Sequence, residues 1–470
     1  MSLGRSVCAA VLAVALAAPA FSQGPAPIRP TLHPMAPSSP ALRYRLLPEL
    51  IGQTPGNAAE DYKKAVPLLN QVSAEDDAEL QAWEKLPLEQ LPCADVRRWL
   101  DDHKAGLDLI EQGARREYCD WGLTERLRKS GIGAVLPEIQ PMRVAARLLA
   151  LRARVEMAEG HFDQAAHTLR TGLALARHVG DSETLISFLV GNAVANVMAN
   201  QIDLFVQQPK APNLYWPLTD LPRPFIDVRK GMEGERVSIH GTFPGIAASA
   251  TDLNAGPISE EQGRNYGRIF QGLQERNLPA GRALLALRLR KEYEADKQAL
   301  VAQGRPRALV DRMPHVQVAV LRAFIEYDRS FDEMMKWQSF PYPEALPRLR
   351  QAVARRNAER KRSDTPLASE LANLFLPNLD KIFLARARTD RKFAALRCVE
   401  AVRLYAAAHG GKLPPALGAI KEVPVPDDPM TGKPFVYTVA GGRATLVGPP
   451  PTADSRDAVY ALTYELTLNH

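Results

Sequence analysis

The sequence predicts a mainly α protein: a multi-helix bundle followed by a small C-terminal α+β module. Three observations lead there. Apolar residues recur at three- and four-residue spacing through most of 57–409, as a single buried helix face requires. After residue 435 the period drops to two, the alternation of a half-buried strand. Proline is frequent, 38 of 470 residues, which divides the chain into short elements. Apolar residues make up 46% and charged residues 24%, which excludes a chain disordered throughout.

The chain opens with the pattern of a secretory signal over 1–22. Arg5 gives a positive start, 7–18 an apolar run, and Ala20 and Ser22 small residues around a cleavage point. The run falls short of the ~20 residues needed to span a bilayer, and Pro19 interrupts it. The expectation is cleavage after Ser22, an exported chain (periplasmic or extracellular) and no further membrane span. Residues 23–56 then carry Pro25, Pro27, Pro30, Pro34, Pro37, Pro40 and Pro48, which predicts an extended tether.

A helical body is expected over 57–362. Met142, Ala145, Ala146, Leu149 and Ala153 line one helix face. Gly160 and Gly180 mark two helix ends, and Asp181 or Ser182 is placed to cap a third helix running to about Phe205. Ala153, Gly160, Phe162, Ala165, Leu169 and Gly172 fall where a tetratricopeptide helix pair wants small and large residues. The stretch 149–172 therefore resembles one such hairpin. No copy lies 34 residues away on either side, so a solenoid of repeats is not expected. Residues 240–257, rich in Gly, Ala, Ser and Thr, read as a long loop serving as linker or lid. Ser259-Glu260-Glu261-Gln262 is a capping box that restarts the helices.

The C-terminal module, 363–470, is expected to be a long helix on a three-stranded antiparallel sheet. Apolar residues from Leu371 to Val402 mark the helix, with Pro377 as a candidate kink, and His409-Gly410-Gly411 ends it. Residues 435–439 and 444–447 flank Gly441-Gly442, a hairpin signal, and Tyr460, Leu462, Tyr464, Leu466 and Leu468 alternate as a third strand.

Three pieces in this order carry a resemblance. They are Leu376-Pro377-Asn378-Leu379 through Asp390, then Leu404-Tyr405 through His409-Gly410-Gly411-Lys412-Leu413-Pro414, then Asp428-Pro429-Met430-Thr431-Gly432-Lys433-Pro434-Phe435-Val436-Tyr437. Over about 100 residues the module resembles the soluble part of type II secretion pseudopilins. It lacks their apolar N-terminal half-helix with its processing site, so the resemblance implies a borrowed soluble module rather than a pilin subunit. Asp454 and Asp457 stand alone where some relatives hold calcium, and calcium wants six to eight oxygens. The whole chain is also similar to a group of uncharacterised, signal-bearing bacterial helical proteins of this layout, a resemblance that implies no activity.

No HExxH, GxSxG, GxxxxGK[ST], GxGxxG or Cys/His cluster is present, and no cofactor or metal is expected. The densest reactive stretch is 115–121, read as helical, where Glu117 and Asp120 with His103 would serve as acid, base and shuttle. The alternative is an internal salt bridge between Arg116 and Asp120, with Tyr118 and Trp121 in the core. Once Cys8 is removed with the signal, Cys93, Cys119 and Cys398 remain. They are either buried apolar residues or include a Cys93–Cys119 disulfide, which an exported chain permits.

Charge is uneven. The net charge is +6, yet 340–410 holds 14 Lys or Arg against 7 Asp or Glu. One cluster contains Arg348, Arg350, Arg355, Arg356, Arg360, Lys361 and Arg362, and another Arg386, Arg388, Arg391, Lys392 and Arg397. A basic face would bind anionic lipid or polysaccharide; the alternative is a solvated helix face. Nucleic acid is not expected, because stacking aromatics are missing from the first cluster. The leading expectation is an exported, non-catalytic scaffold or interaction protein with an envelope protein partner. Two others stand beside it: an exported hydrolase-like enzyme with a site under 240–257, near Glu117, Asp120 or His240, and an anionic-surface binder.

Overall fold

A computed structural model describes residues 25–469, apart from 72, 278–281, 361, 363, 377–378 and 453. The expected signal, Lys361 and Pro377 lie outside the described residues. The helices of the first half are α1 (Ala58–Leu69), α2 (Ala74–Lys85), α3 (Cys93–Asp102), α4 (Lys104–Ala114), α5 (Leu123–Ser130), α6 (Met142–Ala158), α7 (Phe162–Gly180) and α8 (Leu185–Phe205). They continue through α9 (Tyr215–Thr219), α10 (Arg229–Thr242), α11 (Pro244–Thr251), α12 (Glu260–Asn277), α13 (Arg282–Ala302) and α14 (Arg307–Val310). The last four are α15 (His315–Met335), α16 (Tyr342–Arg360), α17 (Leu367–Phe375) and α18 (Leu379–Ala408). The strands are β1 (Thr31–Leu32), β2 (Thr54–Asn57), β3 (Arg116–Tyr118), β4 (Asp427–Asp428), β5 (Lys433–Pro434), β6 (Val436–Ala440), β7 (Arg443–Gly448) and β8 (Leu462–Leu468).

The body is organised around α6, α7 and α8. Ala145, Ala146, Leu149 and Ala153 are buried on α6, facing Ala165 and Leu169 of α7. Gly160, at φ 77°, makes the turn between them, a left-handed conformation that costs glycine little. Helices α7 and α8 touch backbone to backbone: a Cβ on Gly191 would lie 2.5 Å from the backbone of Gly180. The cap of α8 is Thr184, whose hydroxyl accepts from Ser187 N at 3.0 Å, not Asp181 or Ser182. Those two serve the preceding bend, Asp181 accepting from Asp227 N (2.9 Å) and Ser182 donating to Val179 O (2.8 Å). Helix α8 is long and apolar enough to cross a membrane by composition alone, yet most of it is buried in this core.

The expected loop over 240–257 is largely helical. Helix α10 continues to Thr242, and Pro244 occupies the first position of α11, where its missing N–H costs nothing. The small residues that suggested a loop instead let α11 pack closely, with Phe243, Ile246 and Ser249 buried. The capping box forms as read, Gln262 N to Ser259 Oγ (3.2 Å) and Ser259 N to Gln262 Oε1 (3.0 Å).

In the C-terminal segment the expected single helix is two. Helix α17 ends at Phe375, the following Leu376 has an extended backbone, and α18 starts at Leu379. The hairpin forms at Gly441 and Gly442, both with positive φ. The sheet has four strands rather than three, in the order β1-β8-β7-β6. Strand β1 joins β8 in parallel, with Thr31 beside Thr467. It comes from the proline-rich segment, which is extended as expected but is not a free tether. Leu32 and Leu46 are buried, and Ile28 N donates to Thr463 O at 2.9 Å. One continuous core runs from Leu32 through the helices to Leu466.

Candidate functional site

The candidate acid–base groups Glu117 and Asp120 lie in and just after a short strand, and His103 lies between α3 and α4. Residues 116–118 form β3, paired in parallel with β2, so the side chains of 115–121 alternate instead of sharing a helix face. Glu117 and Asp120 are exposed. Arg116 Nε donates to the buried Asp61 at 2.6 Å rather than to Asp120. Tyr118 is exposed, whereas Trp121 is buried, stacked on Tyr62 and donating to His178 O at 3.0 Å. His103 lies over the Trp99 ring with Nδ1 2.9 Å from Trp99 O. His240 is on α10, its Nε2 3.4 Å from Asp328. Cys93, Cys119 and Cys398 are free thiols, so the expected bridge is not formed. Burial pushes all three upward in pKa, which disfavours thiolate chemistry. Among the described residues no group of three or more His, Cys, Asp or Glu is placed to hold a metal ion.

The second basic cluster is not a solvated face. Arg391, 2% exposed, donates Nε to Asp428 Oδ1 (2.8 Å) and Nη2 to Oδ2 (2.6 Å). Lys392 pairs with Asp203 of α8, which also accepts from Tyr464 OH of β8 at 2.8 Å. Burial pushes the Asp203 carboxyl up and Lys392 pulls it back. Arg386 is buried beside the Phe383 ring. Only Arg388 of the five is exposed, lying over the Tyr460 ring. One turn past the cluster, Arg403 pairs with Glu400, both fully buried, and also donates to His33 O (3.0 Å) and Ala211 O (2.8 Å). In the first cluster Arg350 pairs with Asp457, Arg362 with Asp364 (2.8 Å), and Arg356 is buried. Arg348 and Arg355 are exposed; the side chain of Arg360 lies outside the described set. The cations of α18 are thus used mainly inside the molecule, tying it to α8, β8 and the N-terminal strap, while Arg348, Arg355 and Arg362 of the first cluster face solvent.

Two surface features bear on function. The first is the β6 edge of the sheet, with Val436 52% and Val439 41% exposed. The second is a cleft of about 310 Å³ between 218–225, the 390–397 face of α18 and the loop 424–429. Asp390 lines it, with Oδ1 accepting from Phe225 N at 2.9 Å; burial raises its pKa to about 6. Arg397 lines it too, 8% exposed, its Nε donating to Thr219 Oγ1 at 3.0 Å. The sequence places Arg397 in a basic face but does not reveal the cleft, which joins segments some 170 residues apart, nor the part of Asp390 in it. Comparison with protein-family models, curated proteins and solved structures gives no match.

Proposed function

We propose that this chain is an exported helical scaffold of the bacterial envelope that acts by holding a protein partner rather than by catalysis. In this reading 149–172 is a tetratricopeptide-like hairpin used for packing, and 363–470 is a pseudopilin-like module related to secretion machinery. The observation that carries the reading is the free edge of β6. A strand edge offers unpaired N–H and C=O groups, and soluble proteins usually blunt it with charge, proline or a bulge. Strand β6, Val436-Tyr437-Thr438-Val439-Ala440, pairs with β7 without a register break and has none of these within it. The opposite edge is already closed by an added extended segment, β1. An extended segment of the partner would dock on β6 in the same way, through backbone hydrogen bonds.

The test uses alternation across the hairpin. Ala440 opposes Arg443 next to a two-residue turn, which makes it a hydrogen-bonded pair, so the Val439 N–H faces away from β7. Val439→Pro therefore removes an outward donor and leaves the sheet paired. Wild-type protein should retain a specific envelope protein in pull-downs, and Val439→Pro should lose it while keeping its melting temperature. Retention unchanged in the variant, or no retained partner, would contradict the reading.

A further inference from the structure

Helix α18 buries several cations, and most are answered by a carboxylate: Arg391 by Asp428, Lys392 by Asp203, Arg403 by Glu400. Burial pulls the Arg386 guanidinium down in pKa, and the nearby carboxylates of Asp390 and Asp227 only partly offset it. Arg397 differs. It is nine-tenths buried, its Nε is used by the Thr219 hydroxyl, and its guanidinium lies over the Tyr215 ring, 5.7 Å from the centroid. Among the described residues no acceptor meets its terminal nitrogens, and the side chain lines the cleft. Its terminal nitrogens are open to the cleft, with no anion on them among the described residues, so the position suits an anion from outside.

The same cleft holds a group of opposite sign. Asp390 uses one carboxylate oxygen for Phe225 N, and no donor among the described residues meets the other. Asp390 and Arg397 are seven residues apart, so they share one face of α18, about 10 Å apart along its axis. An α-amino acid carries its charges about 3 Å apart, and a hydrogen bond at each end adds about 2.8 Å. Both side chains line the one cleft, so a ligand carrying both charges can meet them within it. The lining also carries apolar side chains, among them Leu218, Leu221, Phe225 and Phe393, with the two phenyl rings 4.8 Å apart, and two further charged residues, Arg223 and Asp427. The cleft volume, about 310 Å³, lies at the small end of ligand sites.

We propose that this cleft binds a small zwitterion of the apolar α-amino-acid class, with the ligand carboxylate on Arg397, its ammonium on Asp390 and its side chain against Phe225 and Phe393. The inference is independent of partner docking on β6, which lies elsewhere on the chain.

Isothermal titration of the full chain tests it with leucine, phenylalanine and proline as probes. At least one should bind saturably. For leucine, the amide (no carboxylate) and 4-methylpentanoate (no amine) should each bind at least about tenfold more weakly, the loss of one charged hydrogen bond. Arg397→Gln should lose binding to the same degree, while Arg388→Gln, on the exposed side of α18, should keep it. If Arg397→Gln fails to fold, the ligand series on wild-type protein decides alone. No saturable binding by any of the three up to about 10 mM, or equal binding of the blocked analogues, would overturn the proposal. Tighter binding of N-acetylleucine than of leucine would also overturn it, because that result points to the C-terminus of a peptide chain.

Discussion

Arg391 and Asp428 are both inside the protein, and their pairing shows how the basic character of α18 is used. Removing one member of such a pair strands the other in a medium that cannot solvate it. Arg391→Ala should therefore cost about 3–5 kcal/mol of stability, measured by urea unfolding. Exposed Arg388→Ala should cost well under that. Asp390 gives a second prediction of known sign. Burial raises its carboxyl from 3.8 to about 6, so the folded state takes up a proton before the unfolded chain does. Its contribution to stability is present below about pH 4 and is lost as pH rises through about 6. Unfolding free energies measured between pH 4 and 7 should fall less steeply for Asp390→Asn than for wild type; parallel slopes would refute this. Periodicity assigned Arg391 to a helix correctly but could not reveal its surroundings. Its partner lies 37 residues away across a turn, and nothing near Arg391 in sequence marks it as buried. The capping box at Ser259 was legible because both members sit within four residues.

At the level of elements, local signals were read well and long-range ones were not. The hairpin of α6 and α7, the glycine turn between β6 and β7 and the stop at 409–411 all follow from residues a few positions apart. The stretch 115–121 was misread as helix because its conformation is set by pairing with β2, some 60 residues earlier. The 240–257 stretch was misread as loop because small residues serve loops and close helix contacts alike. Close contact is also what fixes α8 on α7. Gly191 faces the Gly180 backbone with no room for a methyl group. Gly191→Ala should therefore destabilise the protein by about 1–3 kcal/mol, despite alanine's better helix propensity, through overpacking. Thermal melting checks it, and a stabilised variant would mean that α7 and α8 sit further apart than described here.

Across the whole molecule, the first and last described strands are built into one sheet. Strand β1 completes the sheet from more than 400 residues away. Asp203 joins α8 to α18 and to β8, and Arg403 reaches the N-terminal strap. Proline and charge cluster near residue 362, where composition suggests a boundary, but composition does not report which faces are shared. The core and the buried ion pairs cross that boundary, which favours joint unfolding of the two segments. Scanning calorimetry of the chain lacking 1–22 tests this directly. The account predicts one cooperative transition in which calorimetric and van't Hoff enthalpies agree. Two resolved transitions, with 363–470 melting apart from the helical body, would contradict it.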